Sequence, residues 1–136
     1  LYENKKMFLE SGKTMKAAAE INTTFKGKIE DFMKAAELFV KGGFFDDADG
    51  ALKGAISNAT ESQRGELHER VKKFYQEELR FSLKNDKRVN SLRACEKILS
   101  LNLTEGERKE HMETLLSLYD KLGRVRDYYM LKKQIK

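Results

Sequence analysis

The chain has 136 residues, no proline and no tryptophan, and charged side chains make up 36% of it. Its formal charge is +5, from 27 basic and 22 acidic residues. That length suits one domain with a core of its own, the single Cys95 excludes an intrachain disulfide, and no apolar run approaches the ~20 residues that cross a bilayer.

From the N-terminus, Tyr2, Met7, Phe8 and Leu9 precede Ser11-Gly12, a candidate helix end. Met15, Ala18, Ile21 and Phe25 then recur at helical spacing, and Gly27 offers a break before Ile29, Phe32, Ala36 and Phe39. One long helix kinked near Gly27 and two separate helices both fit this stretch; two helices are the preferred reading.

Gly42-Gly43 closes the helix of residues 29–41, because glycine takes the left-handed backbone conformation without penalty. Asp46 and Asp47 stand where a helix dipole favours negative charge, and Ala48, Leu52, Ala55 and Ile56 give the next helix its predicted buried stripe. Thr60-x-x-Gln63 has capping-box spacing and opens a long helix, about 61–84, with Leu67, Val71, Phe74, Tyr75 and Leu79 on one side. Phe81 and Leu83 carry apolar character to its end. After Asn85-Asp86, the residues Val89, Leu92, Cys95, Ile98 and Leu99 predict an amphipathic helix. Thr104-x-x-Glu107 is a second capping box, starting a helix with Met112, Leu115, Leu116, Leu118, Tyr119 and Leu122. Gly123 stops it, and Val125, Tyr128, Tyr129, Leu131 and Ile135 form the closing helix.

Gly43 and Gly123 lie 80 residues apart, room for two units of about forty. In each, an aromatic four residues before the glycine (Phe39, Tyr119) is expected to pack on an apolar residue two after it (Phe45, Val125).

Residues 29–62 resemble one tetratricopeptide repeat, through Phe32, Ala36, Phe39, Gly43, Phe45, Ala48, Leu52 and Ala55, with Thr60 where that family often has proline. Residues 109–136 match more loosely through Met112, Leu115, Tyr119 and Gly123, with Tyr128 in place of a small alanine. The resemblance implies an all-α fold, a single domain over 1–136 built as a short right-handed α-solenoid of antiparallel helix pairs (29–58, about 61–101 and 104–135). Six or seven helices are expected in total. It also implies a non-catalytic adaptor or assembly module that binds a protein or peptide along a groove lined by the first helix of each pair. In the first unit that face would carry Glu30, Met33, Glu37, Val40 and Lys41; in the last, Glu110, Glu113, Ser117, Asp120 and Lys121. Both are largely acidic, which suits a basic or amphipathic segment and disfavours capture of a carboxylate. Self-association through an exposed terminal pair is an alternative.

Other chemistries are weakly supported. Arg70, Lys73, Arg80 and Lys84 share one side of the long helix, with Tyr75 and Phe81 nearby, and form the alternative, nucleic-acid face. Glu69, Glu77 and Glu78 at helical spacing favour a solvated outer surface instead. His111 with Glu107 reads as a surface polar pair rather than a zinc site, since His68 is in another helix and no ligand cluster accompanies them. Cys95 reads as a small buried hydrophobe. No phosphate loop or acid–base pair stands out, so neither cofactor, metal nor enzymatic activity is expected. The lone thiol suits a reducing compartment, giving an expected cytoplasmic or cytosol-facing location. The chain opens at Leu1 rather than Met, as a processed or excised chain would.

Overall fold

The computed structural model describes residues 2–135, with side chains from Lys5 to Ile135. The Tyr2 side chain therefore lies outside the described residues. Among these the protein is all-α: α1 (Tyr2–Ile21), α2 (Phe25–Gly42), α3 (Phe45–Ser57), α4 (Glu61–Lys84), α5 (Arg88–Leu99), α6 (Glu105–Lys121) and α7 (Val125–Gln134). No described helix is long and apolar enough to cross a membrane. The chain divides into two compact units, Leu1–Phe74 and Tyr75–Lys136, with the boundary inside α4.

In the first unit α2 packs on both α1 and α3. Helix α1 runs straight through Ser11-Gly12, which is not an end. A Cβ at Gly12 would lie 2.6 Å from the Phe39 ring, so this glycine serves close approach of α1 and α2. The break before α2 falls at residues 22–24, not at Gly27. Thr24 caps the helix by accepting from the Gly27 N–H at 3.0 Å, and Asn22 Nδ2 donates to Asp31 across the turn at 3.1 Å. Lys28 Nζ donates to the Ala19 and Glu20 carbonyls in the last turn of α1, where the helix's own ladder runs out.

Gly43 closes α2 at φ 84°, with its N–H on Val40 O and the Phe44 N–H on Phe39 O. Helix α3 buries Ala48, Ala51 and Ala55. Leu52 and Ile56, expected in that stripe, are only half-buried; small residues occupy the contact line because the Phe32 ring fills the space over Gly54, 2.6 Å from where a Cβ would stand.

The N-terminus of α4 has half of the expected box: Thr60 N–H donates to Gln63 Oε1 at 2.9 Å, while the Thr60 hydroxyl engages Ser62. Leu67, Val71, Tyr75 and Leu79, spaced by four, are buried along it.

In the second unit α6 packs on α5 and α7. Both halves of the Thr104/Glu107 box form, at 3.2 and 3.1 Å. The core here is Leu92, Ala94, Cys95, Ile98, Leu115, Leu118 and Tyr119. Val89 is exposed, so the buried stripe of α5 starts at Ser91-Leu92. Gly123 turns the chain at φ 71°. Val125 beyond it is 63% exposed and does not join the core. Tyr119 instead donates its hydroxyl to Glu96 at 3.2 Å and stacks under Arg124, 5.4 Å from the ring centroid. Of the residues expected to line α7 only Leu131 is buried; Tyr129 is exposed and Tyr128 half-buried.

Candidate functional site

The two faces that the repeat resemblance implies differ sharply in the structure. On α2, Met33 and Val40 are 0% and 1% exposed, so they belong to the core and not to an open face. The three polar members are more accessible, yet both carboxylates are already engaged. Glu30 takes a two-pronged contact from Arg70 at 3.1 and 3.3 Å. Glu37 pairs with Lys34 at 3.2 Å and Lys41 at 3.8 Å. A recess of about 720 Å³ beside Phe25 and Ile29 includes Glu30, Asn58 and Gln63. Two of its polar side chains are committed: Asn58 Nδ2 donates to Gly54 O and Gln63 caps α4.

The face on α6 is different. In the second unit, α4 and α6 border an open groove made of two adjoining recesses. The first, about 280 Å³, is lined by Gln76, Leu79, Arg80 and Leu83 of α4 and Glu107, Glu110, His111 and Thr114 of α6. The second, about 340 Å³, continues from Leu83 along Glu113, Ser117, Leu118 and Lys121. Glu110, Glu113, Ser117 and Lys121 of the predicted face therefore line it; Asp120 is exposed but outside it. The α4 stretch meets α6 at Gln76 beside His111, 35 residues on, and Leu83 borders both recesses.

Helical periodicity explains the placement. Glu110, Glu113, Ser117 and Lys121 recur by three and four along α6, while Leu115, Leu118 and Tyr119 turn into the core. Among the described residues the side chains of Glu110, Glu113, Arg80 and Lys121 have neither an ion pair nor a hydrogen bond. The floor is apolar, with Leu79 and Leu118 buried and Leu83 42% exposed.

His111, expected on the surface, is 8% exposed and is the groove's polar floor. Its Nδ1 is buried without a hydrogen-bond partner and its Nε2 lies 3.4 Å from the Gln76 amide. The Gln76 NH₂ faces this ring nitrogen, so which atom donates follows from the His111 tautomer. Only proximity of α4 to α6 reveals His111 as a lining residue; its spacing on α6 alone does not.

The alternative nucleic-acid face is divided. Arg70 is held by Glu30, and Arg80 stands in the groove beside Glu107 and Glu110. Lys73 and Lys84 are exposed. Glu69 pairs with Lys72 at 3.0 Å rather than with any of the four. Tyr75 is 0% exposed and cannot stack on a base, while Phe81 is exposed and has Lys87 Nζ over its ring at 5.3 Å.

Cys95 is fully buried, with Sγ donating to His111 O at 3.1 Å. Burial, helped by the Glu96 charge, pushes its pKa up to about 12, so the nucleophilic thiolate is scarce at neutral pH. Burial and then Glu96 push Tyr119 up to about 12 as well. Both groups are held in their protonated forms by folding. The stability this supplies is complete below their unfolded values, 9.0 and 10.0, and is lost as pH rises towards 12. Thermal melting between pH 8 and 12 should show a falling midpoint above about pH 9, and Glu96→Gln should move the phenolate absorbance transition of Tyr119 downward. A midpoint flat to pH 11 would contradict this.

No group of three or more metal-ligating side chains occurs among the described residues. Comparison with protein-family models, with curated proteins and with solved structures gives no match to any of them.

Proposed function

We infer that the protein is a non-catalytic protein-interaction module, an adaptor or assembly domain of tetratricopeptide-like design, and that its docking face is the α4/α6 groove. The observation that carries this reading is the open groove on α6, where Glu110, Glu113, Arg80 and Lys121 have no side-chain partner among the described residues, while Glu30 and Glu37 of α2 are engaged. The Gln76–His111 contact joins α4 to α6 across 35 residues, in keeping with tetratricopeptide units of about 34. The Glu30–Arg70 pair relates α2 to α4 by 40 residues, consistent with a longer first unit. On this reading α2–α3, α4–α5 and α6–α7 are antiparallel pairs of a short right-handed solenoid in one domain, and its setting is cytoplasmic or cytosol-facing.

The test is a partner captured by the purified chain and identified by mass spectrometry. Thr114→Trp, which fills the groove, should lower recovery about tenfold or more, a loss of ~1.4 kcal/mol. Glu30→Lys, which breaks only an exposed ion pair worth at most about 1 kcal/mol, should leave recovery unchanged. The reverse pattern would move the site to α2. Nucleic acid recovered by the chain and lost with Arg70, Lys73, Arg80 and Lys84 reversed to Glu would replace this reading with the nucleic-acid one. Self-association is the second reading, favoured by Val125, Tyr129 and Met130 exposed on α7; a dimer in sedimentation that Tyr129→Glu dissociates would establish it.

A further inference from the structure

We propose that the outer face of α7 is a second docking surface and that its occupant is an acidic amphipathic helix of a partner protein. The face shares no residue with the lining of the α4/α6 groove, so each surface stands or falls alone.

Helix α7 packs on α6, yet of its ten residues only Leu131 is buried. Successive helical residues turn by about 100°. Val125, Tyr129 and Lys133 therefore form one row spaced by four, and Arg126 and Met130 form the row beside it. All five are exposed. Val125, Tyr129 and Met130 are three of the nine large apolar side chains in solvent among the described residues, gathered within six positions of one helix. A contiguous patch of this kind, unlike a scattered exposed leucine, marks a surface that a partner covers. Tyr129 is also held ready: its ring meets that of Tyr128 edge-on at 5.3 Å, so little ordering is left to be done on binding.

The cations set the sign of the occupant. Arg126 and Lys133 stand among the apolar side chains, and no described carboxylate pairs with either. Lys132 borders the patch, its Nζ 5.6 Å over the Tyr128 ring. The one carboxylate of α7, Asp127, is half-buried and held by Arg124 at 2.6 Å. Among the described residues the exposed face of α7 thus carries positive charge and no negative charge. The chain as a whole has the same sign, +5, so steering from a distance and contact at the face both favour an acidic partner.

Other occupants match the face less well. A second copy laid on α7 brings cation against cation, because the face has no carboxylate to answer Arg126 or Lys133. A helix lying on a membrane keeps its cations opposite its apolar side, whereas Arg126 and Lys133 fall between Tyr129 and Met130 around α7. A phosphate backbone engages the cations but leaves Val125 and Met130 wet. A helix with leucines set among glutamates satisfies both. Its leucines enter the groove between the two rows, and its carboxylates reach Arg126 and Lys133. The ten residues of α7 rise roughly 15 Å, a length matched by about three turns of a partner helix.

The experiment titrates the full chain with a fluorescein-labelled helical peptide of about fourteen residues. The peptide is built of Ala, Leu and Glu, with Leu at i, i+3, i+4 and i+7; in its counterpart Lys replaces Glu. Binding is read by anisotropy and by amide shifts in two-dimensional NMR. The Glu peptide should bind, shift the amides of Arg126, Tyr129 and Met130, and weaken as salt is raised; the Lys peptide should not bind. Tyr129→Ala should weaken the Glu peptide about tenfold, equivalent to ~1.4 kcal/mol. Arg126→Glu with Lys133→Glu should exchange the preference, so that the Lys peptide binds and the Glu peptide is lost. Thr114→Trp, which fills the α4/α6 groove, should change neither result. Circular dichroism confirms the folding of each variant; a charge reversal that unfolds is replaced by Arg126→Gln with Lys133→Gln, which should weaken the Glu peptide in the same direction. No Glu-peptide binding, equal binding of the two peptides, or amide shifts confined to the α4/α6 groove overturns the proposal. A dimer in sedimentation that Tyr129→Glu dissociates overturns it in favour of a second copy. Binding to phosphatidylserine vesicles or to poly(U) that Tyr129→Ala removes, with no α7 amide shifted by the Glu peptide, gives the face to a membrane or to RNA instead.

Discussion

Truncation of Phe39 to alanine is expected to cost the first unit about 3–5 kcal/mol, the range for removing a fully buried aromatic ring. Phe39 is 1% exposed and its ring lies over Gly12 of α1, so the change leaves a void at the contact of two helices. The backbone glycine opposite cannot refill that void. Denaturant unfolding of wild type and variant, followed by helical circular dichroism, measures the difference. The matched control is Phe25→Ala, a ring 71% exposed, expected to fall within about 0.5 kcal/mol of wild type. A Phe39→Ala loss below about 1 kcal/mol would show that the α1–α2 contact is not the support the packing indicates.

The second large effect is a reversal of sign among helical glycines. Glycine inside a helix ordinarily costs up to about 1 kcal/mol relative to alanine. Gly65→Ala in α4, where nothing lies within 4 Å of the added Cβ, should therefore stabilise. Gly54→Ala in α3 should destabilise by about 1–3 kcal/mol, the usual range for overpacking. Its Cβ would meet the buried Phe32 ring at 2.6 Å, and that ring has no open side to retreat to. Combining Gly54→Ala with Phe32→Leu should recover part of the loss. Thermal melts of the three variants decide it; equal gains from Gly54→Ala and Gly65→Ala would refute the close α2–α3 approach.

Helix ends with their own local chemistry were legible in the sequence. Thr104 and Glu107 form the box that their spacing predicts, and Gly43 and Gly123 both take the left-handed conformation. Where a glycine's purpose is tertiary, reading failed. Gly12 looks like a stop but makes room for Phe39, a residue 27 positions later. Gly27 looks like a break but is the amide that Thr24 caps. Periodicity likewise marks an apolar face without saying what covers it: Val89, Val125 and Tyr129 continue their stripes into solvent.

The site divides along the same line. Spacing of three and four placed Glu110, Glu113, Ser117 and Lys121 together, because that depends on one helix only. The matching set on α2 was split, with Met33 and Val40 drawn into the core by an apolar face wider than the pattern on a single helix suggests. Ion pairs such as Glu30 with Arg70 join residues 40 apart and carry no local signature.

The short turns have a kinetic consequence. Helices α1 and α2 are joined by residues 22–24, α2 and α3 by 43–44, and α6 and α7 by 122–124, and each of these neighbours packs on the other. Contacts that close over so few residues require little loop ordering before they are formed. Chains dominated by such local pairings cross the folding barrier in microseconds to milliseconds. The α1–α2 hairpin, with Lys28 and Asn22 already tying its turn, makes its mutual contacts within residues 2–42. During synthesis it can assemble before the residues that line the groove have been made.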